Sequence, residues 1–196
     1  MQLIESIRTC NRRLENIAWH NERLNRSRRD LFGASHEIDL REAIAVPAAL
    51  SRKLHKCRVL YGPEIQQVEF IPYQRKTINN FELVQADHLD YAHKYADRSQ
   101  LEKLLSDSTA DEIIIVKNGL LTDASFANLC FFDGQKWWTP ALPLLPGTKR
   151  AKLLAEGRIH PADIRPADLR FFKKIKLINA VSVFSLPVRS LQSCWR

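Results

Sequence analysis

The stretch from Leu120 to Arg150, LLTDASFANLCFFDGQKWWTPALPLLPGTKR, limits what this chain can fold into more than any other. It follows Asn118-Gly119, a dipeptide suited to the left-handed backbone of a hairpin turn. Apolar residues alternate, break at Asp133-Gly134, and alternate again up to Trp138-Thr139-Pro140. Leu145-Pro146-Gly147-Thr148 then leads directly into an apolar-periodic segment. The pattern predicts strand, turn, strand, turn, strand and a helix start. Asp123, in a run of small and polar residues before the hairpin, and Gly147-Thr148 at the helix start form a plausible pair of cofactor handles. Such a site would also need a lysine and a phosphate-binding arginine.

The chain has 196 residues, enough for one large domain or two small ones with a substantial core. With 45% apolar and 27% charged residues it has globular rather than disordered composition. No apolar run approaches the roughly 20 residues needed to span a bilayer, so no membrane partner is expected. The N-terminus carries Glu5 and lacks an apolar signal region, which makes a cytoplasmic location the expectation. Cys10, Cys57, Cys130 and Cys194 are scattered, with no spacing for zinc or a disulfide framework. No metal site is expected, and Cys57 and Cys130 read as buried thiols. The net charge of +8 is spread along the chain, and its densest patch, Arg23 to Arg29, lies on one predicted helix. Without a binding motif this argues against nucleic acid; a basic surface that attracts anionic small molecules explains the charge equally well.

In chain order, residues 2–9 read as a strand, with a turn at Asn11-Arg12-Arg13 and a return over 14–18. Residues 20–33 carry partial helical periodicity, with Gly33 as the C-terminal cap. Residues 37–54 hold two short helical patterns, the second starting at Pro47. CRVLYG, IQQVEFIPY and FELVQA alternate with period two and predict an antiparallel meander. Residues 86–97 join two halves, with domains drawn as 1–86 and 87–196. Ser99 is expected to cap a helix with Glu102 three residues on, and EIIIV to form a central strand buried on both faces. A helix from Thr148 to Glu156, a short helix over PADLRFF and a strand over KKIKLINAVSVF complete an α+β chain.

His20 and Arg23 lie three apart and so share a helix face. That pair reads as a solvated basic face, or as an arginine turned inward to hold a phosphate dianion through its fork geometry. Lys94, between His93 and Tyr95, reads as a surface charge, or as a Schiff-base lysine of the kind that burial and nearby cations activate. Asp123 reads as a turn-former or cap, or as a carboxylate facing a protonated ring nitrogen. Gly147-Thr148-Lys149 reads as an ordinary helix start, or as an anion site built from backbone N–H groups.

The order of these pieces is distinctive. LIESIR, then HNERL, a lysine, TDASFAN, WWTP and LLPGTKR resembles the class IV aminotransferase family, over nearly the whole chain and most specifically over 111–154. The resemblance implies a two-domain, fold type IV pyridoxal-phosphate enzyme, with a small N-terminal α/β sandwich and a larger, barrel-like, β-rich C-terminal domain. It implies Lys94 as the lysine that bonds the cofactor and moves the proton at the substrate α-carbon. Asp123 would pair with the pyridinium nitrogen, where the family usually has glutamate. Arg23 would bind the cofactor phosphate with the backbone N–H groups of Thr148 and Lys149, and Asn179-Ala180 matches a second phosphate loop. Arg8 matches a family arginine near the active site. The departures are Asp123 for glutamate, Lys149 for threonine, Ala180 for serine or threonine (Ser182 being a substitute hydroxyl), and a missing strand before LIESIR.

The residues implied are common to two reactions on an amino-acid-like small molecule. One releases pyruvate from 4-amino-4-deoxychorismate to give 4-aminobenzoate for folate synthesis, and the short chain leans that way. The other is transamination of branched-chain or D-amino acids. A relative that has lost the cofactor and serves as a binding protein is the third reading. Family active sites lie near a subunit interface, so the resemblance implies a homodimer.

Overall fold

The computed structural model describes residues 1–181 and the backbone of 189–190. Ser182, Cys194 and the outer part of the expected last strand lie outside the described residues. The fold is mixed α+β, and contacts divide the chain into two compact units. The first comprises Met1–Arg75, His93–Asp97 and Ala180–Ser182; the second comprises Lys76–Ala92, Arg98–Asn179 and Val183–Arg196. The division follows contacts, and so crosses the chain several times.

The first unit is a four-stranded antiparallel sheet covered by one long helix. Its elements are β1 (Leu3–Cys10), β2 (Arg13–Leu14), α1 (Ile17–Phe32), the single turn α2 (Leu40–Ala43), β3 (His55–Tyr61) and β4 (Ile65–Pro72). The sheet order is β2-β1-β3-β4. Asn11 and Arg12 both take positive φ in the β1–β2 turn. The return strand is only two residues long, because the chain must turn into α1, which begins at Ile17 rather than His20. Gly33, at φ 65°, ends α1 and donates its N–H to Arg28 and Arg29 carbonyls, the left-handed cap expected of glycine.

Leu3, Ile7, Leu24, Leu40, Val59 and Tyr61 form the core of this unit. The fully buried Arg28 pins the end of α1 to its surroundings. Its guanidinium donates to the carbonyls of Pro63 (2.8 Å) and His36 (2.8 Å) and to Asn25 Oδ1 (3.0 Å). The expected helix at Pro47 is only a turn closed by Leu50 N–H on the Pro47 carbonyl, because this short, half-exposed segment has no continuous apolar face to bury.

The second unit contains β5 (Phe81–Gln85), α3 (Ser99–Ser106), β6 (Glu112–Lys117), β7 (Leu120–Ala124), β8 (Asn128–Phe132), β9 (Trp137–Pro140), α4 (Thr148–Ala155), β10 (His160–Ala162), a 3-10 turn (Pro166–Phe171), β11 (Lys174–Ile178) and β12 (Arg189–Ser190). Its sheet runs β10-β9-β8-β7-β6-β5, with β11 pairing β8 and β12. The strand-turn-strand-turn-strand-helix order expected of 120–150 is present.

The meander is corrected. β3 and β4 pair antiparallel, but β5 leaves that sheet and pairs parallel with β6. Period-two alternation fixes which side chains share a face, not which strand is the neighbour. The chain between β5 and β6 contains α3, and parallel neighbours need such a long crossover. Ser99 is the first residue of α3 rather than its cap; Arg98 holds the cap position, and its own side chain makes no cap bond. β6 is buried along all but its last residue, as its apolar run predicts. Cys57 and Cys130 are buried free thiols.

Candidate functional site

The candidate residues form two sets, one in each unit. In the first unit, β1 buries Leu3, Glu5, Ile7 and Thr9 completely, so Glu5 occupies a core position. Helix α1 turns His20 and Arg23 onto the same interior; they are 0% and 5% exposed. The solvated-face reading of this pair is therefore overturned. Arg23 donates Nε–H to Glu5 Oε1 at 2.8 Å and Nη2–H to Glu5 Oε2 at 2.6 Å, a two-point fork on one carboxylate. His20 Nδ1 lies 2.6 Å from Glu5 Oε2.

Burial pushes the Glu5 pKa up, but the Arg23 charge and the His20 and Arg23 bonds outweigh it and hold the group at about 2. With Glu5 ionised, His20 Nδ1 is the donor. Burial pushes the His20 pKa below its ordinary value, opposed by Glu5 and aided by the Arg23 and Lys94 charges.

Lys94 is half-buried. Its carbonyl accepts from Ile4 N–H at 2.9 Å, Ala96 N–H donates to the Gln2 carbonyl at 2.9 Å, and Tyr95 forms an antiparallel bridge with Leu3. Residues 94–96 thus lie along β1, beside the strand that carries Glu5. So few ladder bonds leave no periodic signature in the sequence. Ala180 lies in a turn after β11. The next carbonyl, of Val181, accepts from Arg8 Nη1 at 2.7 Å, and Arg8 also donates Nε–H to Glu15 at 3.0 Å.

In the second unit, Asp123 is buried on β7. Its Oδ1 accepts from Asn128 Nδ2 at 2.7 Å and its Oδ2 from Leu145 N–H at 2.8 Å. Burial raises its pKa from 3.8 to about 7, against those bonds and the Arg150 charge. Asn128 also donates to the Leu145 carbonyl at 2.8 Å, so one side chain fixes both the acid and the loop before α4.

Gly147, which has no side chain to cap with, sits at the N-cap of α4. A Cβ there would come within 2.0 Å of Asn128 Oδ1. Thr148 is buried and Lys149 half-buried in the first turn, where backbone N–H groups lack acceptors inside the helix. Arg150 turns inward and donates Nη2–H to the Pro140 carbonyl at 2.8 Å, bracing the end of β9.

Sequence reasoning gave no role to Glu5, Asn128, Arg150 or Glu112. Glu5 had a signal: it breaks the apolar row Leu3-Ile7 on the buried face of β1. Glu112 is fully buried, and its Oε1 accepts the Ser125 N–H at 3.0 Å in the β7–β8 turn. Lys103 is exposed and pairs with Asp107 at the C-cap of α3. Among the described residues there is no cluster of metal-ligating side chains, and no helix is long and apolar enough to cross a membrane.

Three comparisons place the chain. A protein of Haemophilus influenzae named "Uncharacterized protein" is 41% identical over 183 residues, covering 92% of this chain and 97% of that one. A solved structure from Haemophilus somnus, named "putative 4-amino-4-deoxychorismate lyase", superposes with a TM-score of 0.86 at 36% identity, covering 92% of this chain and 96% of that one. A "Putative amino-acid aminotransferase" from Mesorhizobium loti shares the fold with a TM-score of 0.74 at 24% identity, covering 92% and 95% of the two chains. The family model for amino-transferase class IV matches residues 61–191, and the chain belongs to that family.

Proposed function

We propose that this chain is a pyridoxal-phosphate enzyme whose reaction releases pyruvate from 4-amino-4-deoxychorismate and forms 4-aminobenzoate. The observation that carries the cofactor reading is Asp123: a carboxyl buried on β7, held at both oxygens, with its pKa pushed up to about 7 by burial. A cation brought against such a group favours its ionised form, and a protonated ring nitrogen supplies one. The donor set fits the rest of the cofactor. Arg23 offers a fixed guanidinium for a phosphate dianion, and the first turn of α4 offers backbone N–H groups to an anion.

Bound pyridoxal phosphate supplies an aldehyde that captures an amine and a protonated ring that withdraws electrons from the substrate α-carbon. The chain's own residues do the rest. Lys94 contributes the amine and moves the α-proton through Nζ. Asp123 keeps the ring nitrogen protonated. The residues that the family resemblance assigns to the phosphate are Arg23, the Ala180 backbone, Thr148 and Lys149, the last bringing a cation where relatives carry a hydroxyl. The fold type IV layout of two domains, a homodimer and a cytoplasmic location belong to the same reading, and sedimentation of the purified protein tests the dimer.

The lyase is preferred because the relative at 36% identity, which aligns over nearly its whole length, bears that name. The test is to supply 4-amino-4-deoxychorismate to cofactor-loaded protein and measure pyruvate. Stoichiometric pyruvate and 4-aminobenzoate support the lyase. No pyruvate, with glutamate-dependent turnover of an oxo acid, identifies an aminotransferase instead. Protein that stays colourless with added cofactor removes the enzyme reading in favour of a binding protein.

A further inference from the structure

We infer that Glu5 is a positioning residue for phosphate binding: its carboxylate grips one edge of the Arg23 guanidinium and so aims the remaining N–H groups at the phosphate of the cofactor. The inference rests on the cofactor reading above. It starts from a rule that the sequence breaks. Glu5 lies on the buried face of β1, flanked by Leu3 and Ile7, all at 0% exposure. An apolar residue is expected there, and a buried ion pair is by itself weak evidence for stability, because an apolar replacement of similar volume often does as well. What the pair supplies is geometry.

Arginine has five N–H donors in a rigid plane. Glu5 takes one from Nε and one from Nη2, at 2.8 and 2.6 Å, which fixes both the position and the tilt of that plane. His20 bonds the same carboxylate at 2.6 Å, so Glu5 itself is held from a second point of α1. The three side chains come from one strand and one helix, which are more precise supports than loops. A guanidinium held this way meets a phosphate without first losing rotamer freedom, the usual gain from preorganisation.

The experiment compares binding of pyridoxal phosphate and of phosphate-free pyridoxal, by titration calorimetry, to the wild-type protein and to Glu5→Gln, Arg23→Lys and the double variant. Circular dichroism first confirms folding. Glu5→Gln is expected to weaken pyridoxal phosphate by roughly 10- to 100-fold, the scale on which losing a partner behind a ligand-binding group acts, and to leave pyridoxal unchanged. In the Arg23→Lys background, which has no fork to orient, Glu5→Gln is expected to add little.

Equal affinity of Glu5→Gln and wild type for pyridoxal phosphate overturns the inference, as does an equal loss for both aldehydes. Wild-type protein that binds neither aldehyde overturns the cofactor reading and this inference together, and so is distinguishable from failure of the inference alone. If Glu5→Gln does not fold, Glu5→Asp carries the same test: it keeps the charge but shortens the reach, and the same selective loss is expected.

Discussion

Asn128 Nδ2 lies 2.7 Å from Asp123 Oδ1, across the one register pair that joins β7 to β8. The same amide nitrogen reaches the Leu145 carbonyl at 2.8 Å. The acid proposed to meet the cofactor ring and the loop leading to the proposed phosphate helix therefore share one support. Asn128→Ala is expected to leave a buried carboxyl and a carbonyl each short of a donor, costing about 1–3 kcal/mol of stability. Urea unfolding measures this; a loss below about 0.5 kcal/mol would show the support to be dispensable.

Gly147 depends on the same side chain. Its φ of −73° suits any residue, so an alanine there is limited only by the Asn128 oxygen. That oxygen cannot swing aside cheaply, because the amide is pinned at Asp123 and Leu145. Gly147→Ala is expected to cost roughly 1–3 kcal/mol, as overpacking does. The cost should shrink in the Asn128→Ala background, and thermal melts of the two single variants and the double variant measure that coupling.

Asp123 gives the cofactor-free protein a pH signature. Its pKa is 3.8 in an ordinary setting and about 7 when folded, so between these values the folded state holds a proton that the unfolded chain has released. Stability from this group is complete below pH 3.8 and falls as pH rises through about 7. Glu5 acts in the opposite sense and lower: its pKa of about 2 against 4.5 gives stability above 4.5 that is lost as pH falls toward 2. His20, lowered by burial, also favours higher pH. The wild-type curve minus that of Asp123→Asn isolates Asp123. The difference is expected to slope downward across pH 4–7, and a flat difference would show that Asp123 is not raised.

Lys94 has a direct chemical test. Borohydride reduction of cofactor-treated protein, followed by peptide mapping, is expected to place the label on Lys94. Lys94→Ala is expected to take up no reducible label at all. Label on Lys103 or Lys149 would move the proposed role to that residue.

The sequence determined the local order of the molecule. The dipeptides Asn118-Gly119 and Asp133-Gly134 mark the turns between β6 and β7 and between β8 and β9, because turn geometry and side-chain period are local properties. The motif series also marked the candidate residues in advance. Local pattern could not choose strand partners: FELVQ has the same alternation whether it extends the first sheet or, as it does, pairs parallel with β6. Nor could it choose between a solvated and a buried reading of His20 and Arg23, since helical spacing gives a shared face but not what that face meets. The choice came from Glu5, fifteen and eighteen residues away, whose place on the buried side of β1 draws both side chains inward. Which side chains face which is a matter of long-range packing, and burial turns a solvated charge into a paired one; only the tertiary structure decides it.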